Sequence, residues 1–111
     1  MAKLNEIIQW CNQTLKSHEF KDYAPNGLQI EGKQEVNKIL CAVTASQDAI
    51  DAAIEQGADL LLVHHGYFWK GEPYPITGMR GKRIKSLIQH DISLVGYHLP
   101  LDSHPSLGNN A

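Results

Sequence analysis

Four of the six histidines in this 111-residue chain sit in two close groups, His64 with His65 and His98 with His104, and Asp102 lies inside the second group. Imidazole and carboxylate are the donors that hold Zn, Fe, Mn or Ni. A two-ion arrangement of such donors would suit hydrolytic chemistry, because two ions about 3.5 to 4 Å apart share a deprotonated water and polarise the bond it attacks. Adjacent residues of a regular strand point to opposite faces, so His64 and His65 could hardly chelate one ion from within a strand. Two arrangements resolve this: the strand has ended and Gly66 lets the backbone turn, or each imidazole serves a different ion. Asp102 adds a hard oxygen donor. The role of His98 stays open between ligand, a group supporting a ligand, and proton donor. The bland alternative makes His64 a hydrogen-bonded histidine under a sheet edge and His65 a solvated one. His104, beside Pro105, reads as a loop residue, and His18 and His90 as exposed positions near helix ends.

The elements that would position these groups follow from apolar spacing. Leu4, Ile7, Ile8, Cys11 and Leu15 lie on one helical stripe, which predicts a helix over about 2–17. The segment 22–27, Asp-Tyr-Ala-Pro-Asn-Gly, concentrates turn residues, and a short strand follows over 28–31. The apolar run 39–43 reads as a strand buried on both faces, closed by Thr44. Thr44, in capping-box spacing with Gln47, or Ser46 caps the next helix, whose stripe Ala49, Ile50, Ala53 and Ile54 ends at Gly57. For Thr44, strand closure and capping are favoured over substrate contact. A second buried strand covers 60–63 and ends at His64-His65-Gly66. The long loop 67–78 carries Tyr67, Phe68 and Trp69, which would wall a pocket for a planar ligand or bury the loop itself. Ile84, Leu87 and Ile88 mark a basic helix, and 92–97 a third strand. Strand, helix, strand, helix, strand after a leading helix predicts one α/β domain over 1–111, with a mainly parallel sheet and flanking helices. Ligands bind such sheets at the carboxyl ends of the strands, where Thr44, His64, His65, His98 and Asp102 gather. Residues 102–111 are loop chemistry with no closing element, and read as an interrupted chain.

Composition narrows the function classes. With 42% hydrophobic and 20% charged residues, fibrous and fully disordered chains are excluded. No apolar run approaches the roughly 18 residues of a membrane span, and the amino terminus lacks the apolar block of a secretory signal, so a cytoplasmic protein is expected. Cys11 and Cys41 read as small buried hydrophobes. A net charge of −2 without a run of Lys or Arg leaves nucleic acid unsupported as a partner. The basic residues Arg80, Lys82, Arg83 and Lys85 read as a solvated helix face.

Four blocks carry a resemblance to a known family: residues 23–29 (Tyr-Ala-Pro-Asn-Gly-Leu-Gln), 43–46 (Val-Thr-Ala-Ser), 63–69 (Val-His-His-Gly-Tyr-Phe-Trp) and Tyr97-His98-Leu99-Pro100-Leu101-Asp102 running on to Gly108-Asn109-Asn110. Over nearly its whole length the chain resembles the amino-terminal half of the Nif-three-like family, whose members are known as GTP cyclohydrolase I type 2 homologues and dinuclear metal-centre proteins. The resemblance implies a centre for two divalent ions, with His64, His65 and Asp102 matching the family's amino-terminal ligands and His98 a neighbouring histidine that could shuttle protons. It also implies a carboxy-terminal His-x-x-x-Glu segment that this sequence does not contain, and ring-shaped homohexamers. The implied activity is hydrolysis of a nucleotide or small heterocycle, GTP ring opening being the named candidate. Two other readings stand beside it: a non-catalytic metal-binding scaffold, and a di-metal phosphoesterase.

Overall fold

In a computed structural model of the chain, which describes residues 2–16, 26–67 and 75–98, the three apolar runs become adjacent strands. The elements are β1 (Ala2–Lys3), α1 (Leu4–Leu15), β2 (Gly27–Ile30), β3 (Glu35–Val36), β4 (Ile39–Thr44), α2 (Gln47–Glu55), β5 (Leu60–His65), α3 (Gly78–Gln89) and β6 (Ser93–Gly96). The main sheet has the order β2-β6-β5-β4, with β4, β5 and β6 parallel and β2 antiparallel to β6. The class is therefore α/β with a mainly parallel sheet. Among the described residues, no helix is long and apolar enough to cross a membrane.

Strand alternation divides the core. Leu61 and Val63 of β5 meet Leu94, Ile50 and Ala53 of α2 and Ile84 and Leu87 of α3 on one face. Leu60 and Leu62 meet Val95, Tyr97 and the stripe Leu4, Cys11 and Leu15 of α1 on the other. Helices α1 and α2 stop for local reasons. Lys16 takes the left-handed conformation (φ 53°) after α1, and Gly57 (φ 68°) turns the chain after α2. At the start of α2 it is Ser46, not Thr44, that caps: its hydroxyl accepts from the Ala49 N–H at 3.2 Å.

Three expectations change in the structure. Residues 2 and 3 are not helical; Ala2 pairs with Val36 and Lys3 with Glu35 as a two-residue antiparallel ladder, too short to leave a periodic signal. Strand β4 is not buried on both faces, since Ile39 is 45% and Val43 68% exposed and Cys41 is exposed as well. The cause is position: β4 is the sheet edge, and α1 lies over β5 and β6. Cys41 is thus not the buried hydrophobe that its apolar neighbours suggest, whereas Cys11 is buried.

The amino-terminal end of the sheet is tied by one buried carboxylate. Asp59 Oδ2 accepts from the N–H groups of Asn37 (2.9 Å) and Lys38 (3.2 Å), and Oδ1 pairs with Lys33 Nζ at 2.8 Å. Its backbone carbonyl accepts from Ser93 N–H at 3.0 Å, so the starts of β4, β5 and β6 meet here. The Lys33 ammonium, hydrogen-bonded to the carboxylate, holds its pKa below the ordinary 3.8; the two N–H donors act the same way and burial opposes them. A depressed folded-state pKa stabilises the fold above about pH 4, and that stabilisation is lost as pH falls through the folded value. Asp59→Ala is therefore expected to cost about 1–3 kcal/mol at neutral pH, by stranding two N–H donors. Denaturant titrations from pH 7 downward should show the variant losing less further stability than the parent below pH 4; parallel acid limbs would refute the role given to Asp59.

Candidate metal centre

The ladder between β5 and β6 ends at Val63 opposite Gly96, so His64 and His65 run on past β6. On the far side of β5, Thr44 is still paired with His65. Beyond β6 the chain turns across the end of the sheet, Tyr97 N–H donating to Val63 O at 3.0 Å, and this carries His98 over the two imidazoles. The ring centroids lie 4.3 Å (His64–His65), 4.9 Å (His64–His98) and 5.4 Å (His65–His98) apart. One nitrogen from each ring falls within 4.8 Å of the others, and all three residues are half-buried. Both histidines belong to β5, yet their rings converge; at a strand's last two residues the rings can fold over the sheet end instead of standing out from opposite faces.

The three rings are held from behind. His64 Nδ1 lies 3.0 Å from Tyr97 O, and a carbonyl only accepts, so Nδ1 carries the proton and the lone pair sits on Nε2. Thr44 Oγ1 lies 3.4 Å from His65 Nδ1, which places Thr44 in this cluster and not at the helix cap. The His98 N–H donates to Asn26 Oδ1 at 2.8 Å. Gln29 Oε1 accepts from Tyr67 N–H at 2.8 Å and so fixes the residue two beyond His65. The Tyr67 phenol donates to Ala45 O; burial pushes its pKa up, and the positive charge of Arg83 opposes that. Arg80 and Arg83 are accordingly half-buried, while Lys82 and Lys85 alone form the expected solvated face. Tyr97 donates to Asn12 Oδ1 at 2.8 Å, and burial holds this phenol protonated, with the neighbouring Cys11 adding to the shift.

Asn12, Asn26 and Gln29 are the functional-end residues that sequence reasoning missed. Asn26 stands in a block that reads as turn chemistry and Gln29 in the short strand after it, and nothing in their spacing reveals partners beyond the ends of β6 and β5. Gly66 is also used differently from expectation. Its φ is not among the positive values, so no left-handed turn is needed; a Cβ there would instead overlap Gln29 Oε1, and one at Gly96 would approach Gln29 Nε2 to 3.0 Å. Asp102 lies outside the described residues, as do His104, His18, Phe68 and Trp69. His90 is exposed at the end of α3, with Nδ1 2.9 Å from Ser86 O, and takes no part in the cluster. Three imidazole nitrogen donors at this spacing fit a borderline divalent ion.

A family model described as Duf34/NIF3 (NGG1p interacting factor 3) matches residues 2–111. The chain is similar to the GTP cyclohydrolase 1 type 2 homolog of Neisseria meningitidis serogroup B, 59% identical over 111 residues, which is 100% of this chain and 45% of that protein. The protein of the same name from Haemophilus influenzae is 63% identical over 106 residues, covering 96% and 42%. Among solved structures, protein ybgI, described as of unknown function, superposes with a TM-score of 0.96 at 57% identity, covering 98% of this chain and 44% of that one. A Thermus thermophilus protein gives 0.91 at 41% (96% and 44% covered), and reduced HcgD from Methanocaldococcus jannaschii gives 0.80 at 29% (90% and 41% covered). The chain spans less than half the length of these relatives and corresponds to their amino-terminal part.

The packing of Gln29 between two glycines gives a direct test. Gly66→Ala is expected to cost about 1–3 kcal/mol, because the new methyl displaces the amide that holds Tyr67 N–H. Adding Gln29→Ala removes the obstacle, so the alanine at 66 should cost much less in that background. Denaturant midpoints of the four proteins in this cycle measure the coupling; additive costs would refute the overlap as the reason for Gly66.

Proposed function

Because the chain belongs to the Duf34/NIF3 family, we propose that its imidazole cluster is this chain's share of a divalent-metal centre that hydrolyses a nucleotide or a small heterocycle. The observation that carries the reading is the convergence of His64, His65 and His98 donors within 4.8 Å at the carboxyl edge of a parallel sheet. The relatives' name makes GTP the first substrate to try.

In this reading His64, through Nε2, His65 and Asp102 hold two ions, each Zn, Fe, Mn or Ni. Bound there, such ions supply Lewis-acid polarisation and lower the pKa of water. The protein's own part is orientation and proton handling. Tyr97 O fixes the His64 tautomer, Thr44 steadies His65, and Asn26 sets the backbone from which His98 reaches over both rings. In this reading His98 takes up and releases the proton. Homo-oligomeric assembly as a hexameric ring belongs to the same proposal. The family description names an interaction factor, and this favours a second reading in which the metal centre is structural and the protein is a binding scaffold.

Native mass spectrometry of the chain titrated with Zn, Mn, Fe and Ni should show uptake that fails in His64→Ala and in His65→Ala. His98→Ala separates roles: retained metal with GTP turnover lowered about 10²–10⁴-fold identifies a proton-transfer group, whereas lost metal identifies a ligand. Unchanged uptake in the His64→Ala/His65→Ala double variant would end the metal reading. Metal uptake without turnover of any nucleotide, in this chain or in the full-length relative, would leave the scaffold.

A further inference from the structure

The two faces of the main sheet are covered unequally. An α-helix with its side chains is about 10 Å across and neighbouring strands are about 4.8 Å apart, so one helix covers about two strands. Four strands need two helices on each face. One face has α2 and α3, while on the other, among the described residues, α1 alone packs, on Leu60 and Leu62 of β5 and on Val95 and Tyr97 at the end of β6. The α1-side residues of β4, Ile39, Cys41 and Val43, stay exposed, and Trp10 of α1 stands 61% exposed across from them. Between them runs a cavity of about 520 Å³ lined by Trp10, Cys11, Leu15, Cys41, Val43 and Leu62, among others. The apolar run of β4 has the composition of a strand buried on both faces. Its bare face is therefore apolar surface left open beside α1 for a further element to cover.

Relatives 59% identical to this chain contain it as only 45% of their length, with the remainder following on the carboxy-terminal side. We propose that the groove between α1 and β4 receives an amphipathic helix from the carboxy-terminal polypeptide of these relatives, and that this chain binds that polypeptide when the two are separate molecules. An apolar helix face fits the groove, since its named lining offers two thiols and no formal charge. The groove's far end is reached by His64, so the docked polypeptide would lie against the histidine cluster. The proposal does not depend on metal binding.

The test is co-production of this chain with a tagged carboxy-terminal part of the Neisseria meningitidis relative, followed by purification in the presence of chelator. Cys41 is exposed and Cys11 buried, so Cys41 is a built-in footprint. Its labelling by a thiol reagent should slow about tenfold or more in the complex. Val43→Asp, at an exposed position, should leave the chain's denaturation midpoint in place and abolish both co-purification and protection. Failure of the two polypeptides to co-purify overturns the proposal, as does a complex in which Cys41 labels at its original rate. Self-association of this chain alone that Val43→Asp abolishes would also overturn it, by making the occupant a second copy.

Discussion

The arrangement of the histidines depends on one register: Val63 of β5 beside Gly96 of β6. Parallel pairing sends the carboxyl ends of β4, β5 and β6 to one edge, and this register lets β5 overrun β6 by two residues. Those residues are His64 and His65. The same register brings Tyr97 N–H to Val63 O and so delivers Tyr97 O to His64 Nδ1. A one-residue slip would reverse the facing of every side chain of β5 and remove both the core packing of Leu61 and Val63 and the meeting of the rings.

The two ends of the sheet solve opposite problems. At the amino end, strand starts are drawn together by Asp59, whose charge is matched by Lys33 and by backbone donors. The carboxyl end instead concentrates three nitrogen donors and steadies each through a carbonyl, a hydroxyl or a side-chain amide. Asp59 serves folding; the histidine edge uses the geometry that folding creates at the carboxyl ends of the strands.

Much of this was legible from residues alone where the physics is local and periodic. The stripe of α1, the continuous run of β5 and the gathering of His64, His65 and His98 at strand ends follow from spacing and from the general behaviour of parallel sheets. What spacing does not carry is the partner of a turn residue. Asn26 reaches His98, and Gln29 reaches Tyr67 N–H while its amide packs against Gly66 and Gly96; these contacts exist only once β2 has joined β6. Spacing also cannot tell an interior strand from an edge one, which is why β4 reads as buried while Ile39, Cys41 and Val43 lie open. Ala2–Lys3 paired with Glu35–Val36 is invisible for a simpler reason: two residues define no period.

The antiparallel seam between β2 and β6 bears on the order in which the molecule assembles. The pairings of β4 with β5 and of β5 with β6 each close a single helical crossover, whereas Gly27 opposite Gly96 closes a loop over most of the chain. Loop-closure entropy favours the shorter circuits, so the β4-α2-β5-α3-β6 unit forms as the early kinetic nucleus and the β2 segment zips on afterwards. Since β2 carries Gln29 and is preceded by Asn26, the histidine edge acquires its final shape only when β2 joins β6. Amide hydrogen exchange would then find this seam less protected than the crossovers, with the steadying of His98 and Tyr67 opening before the central strands do.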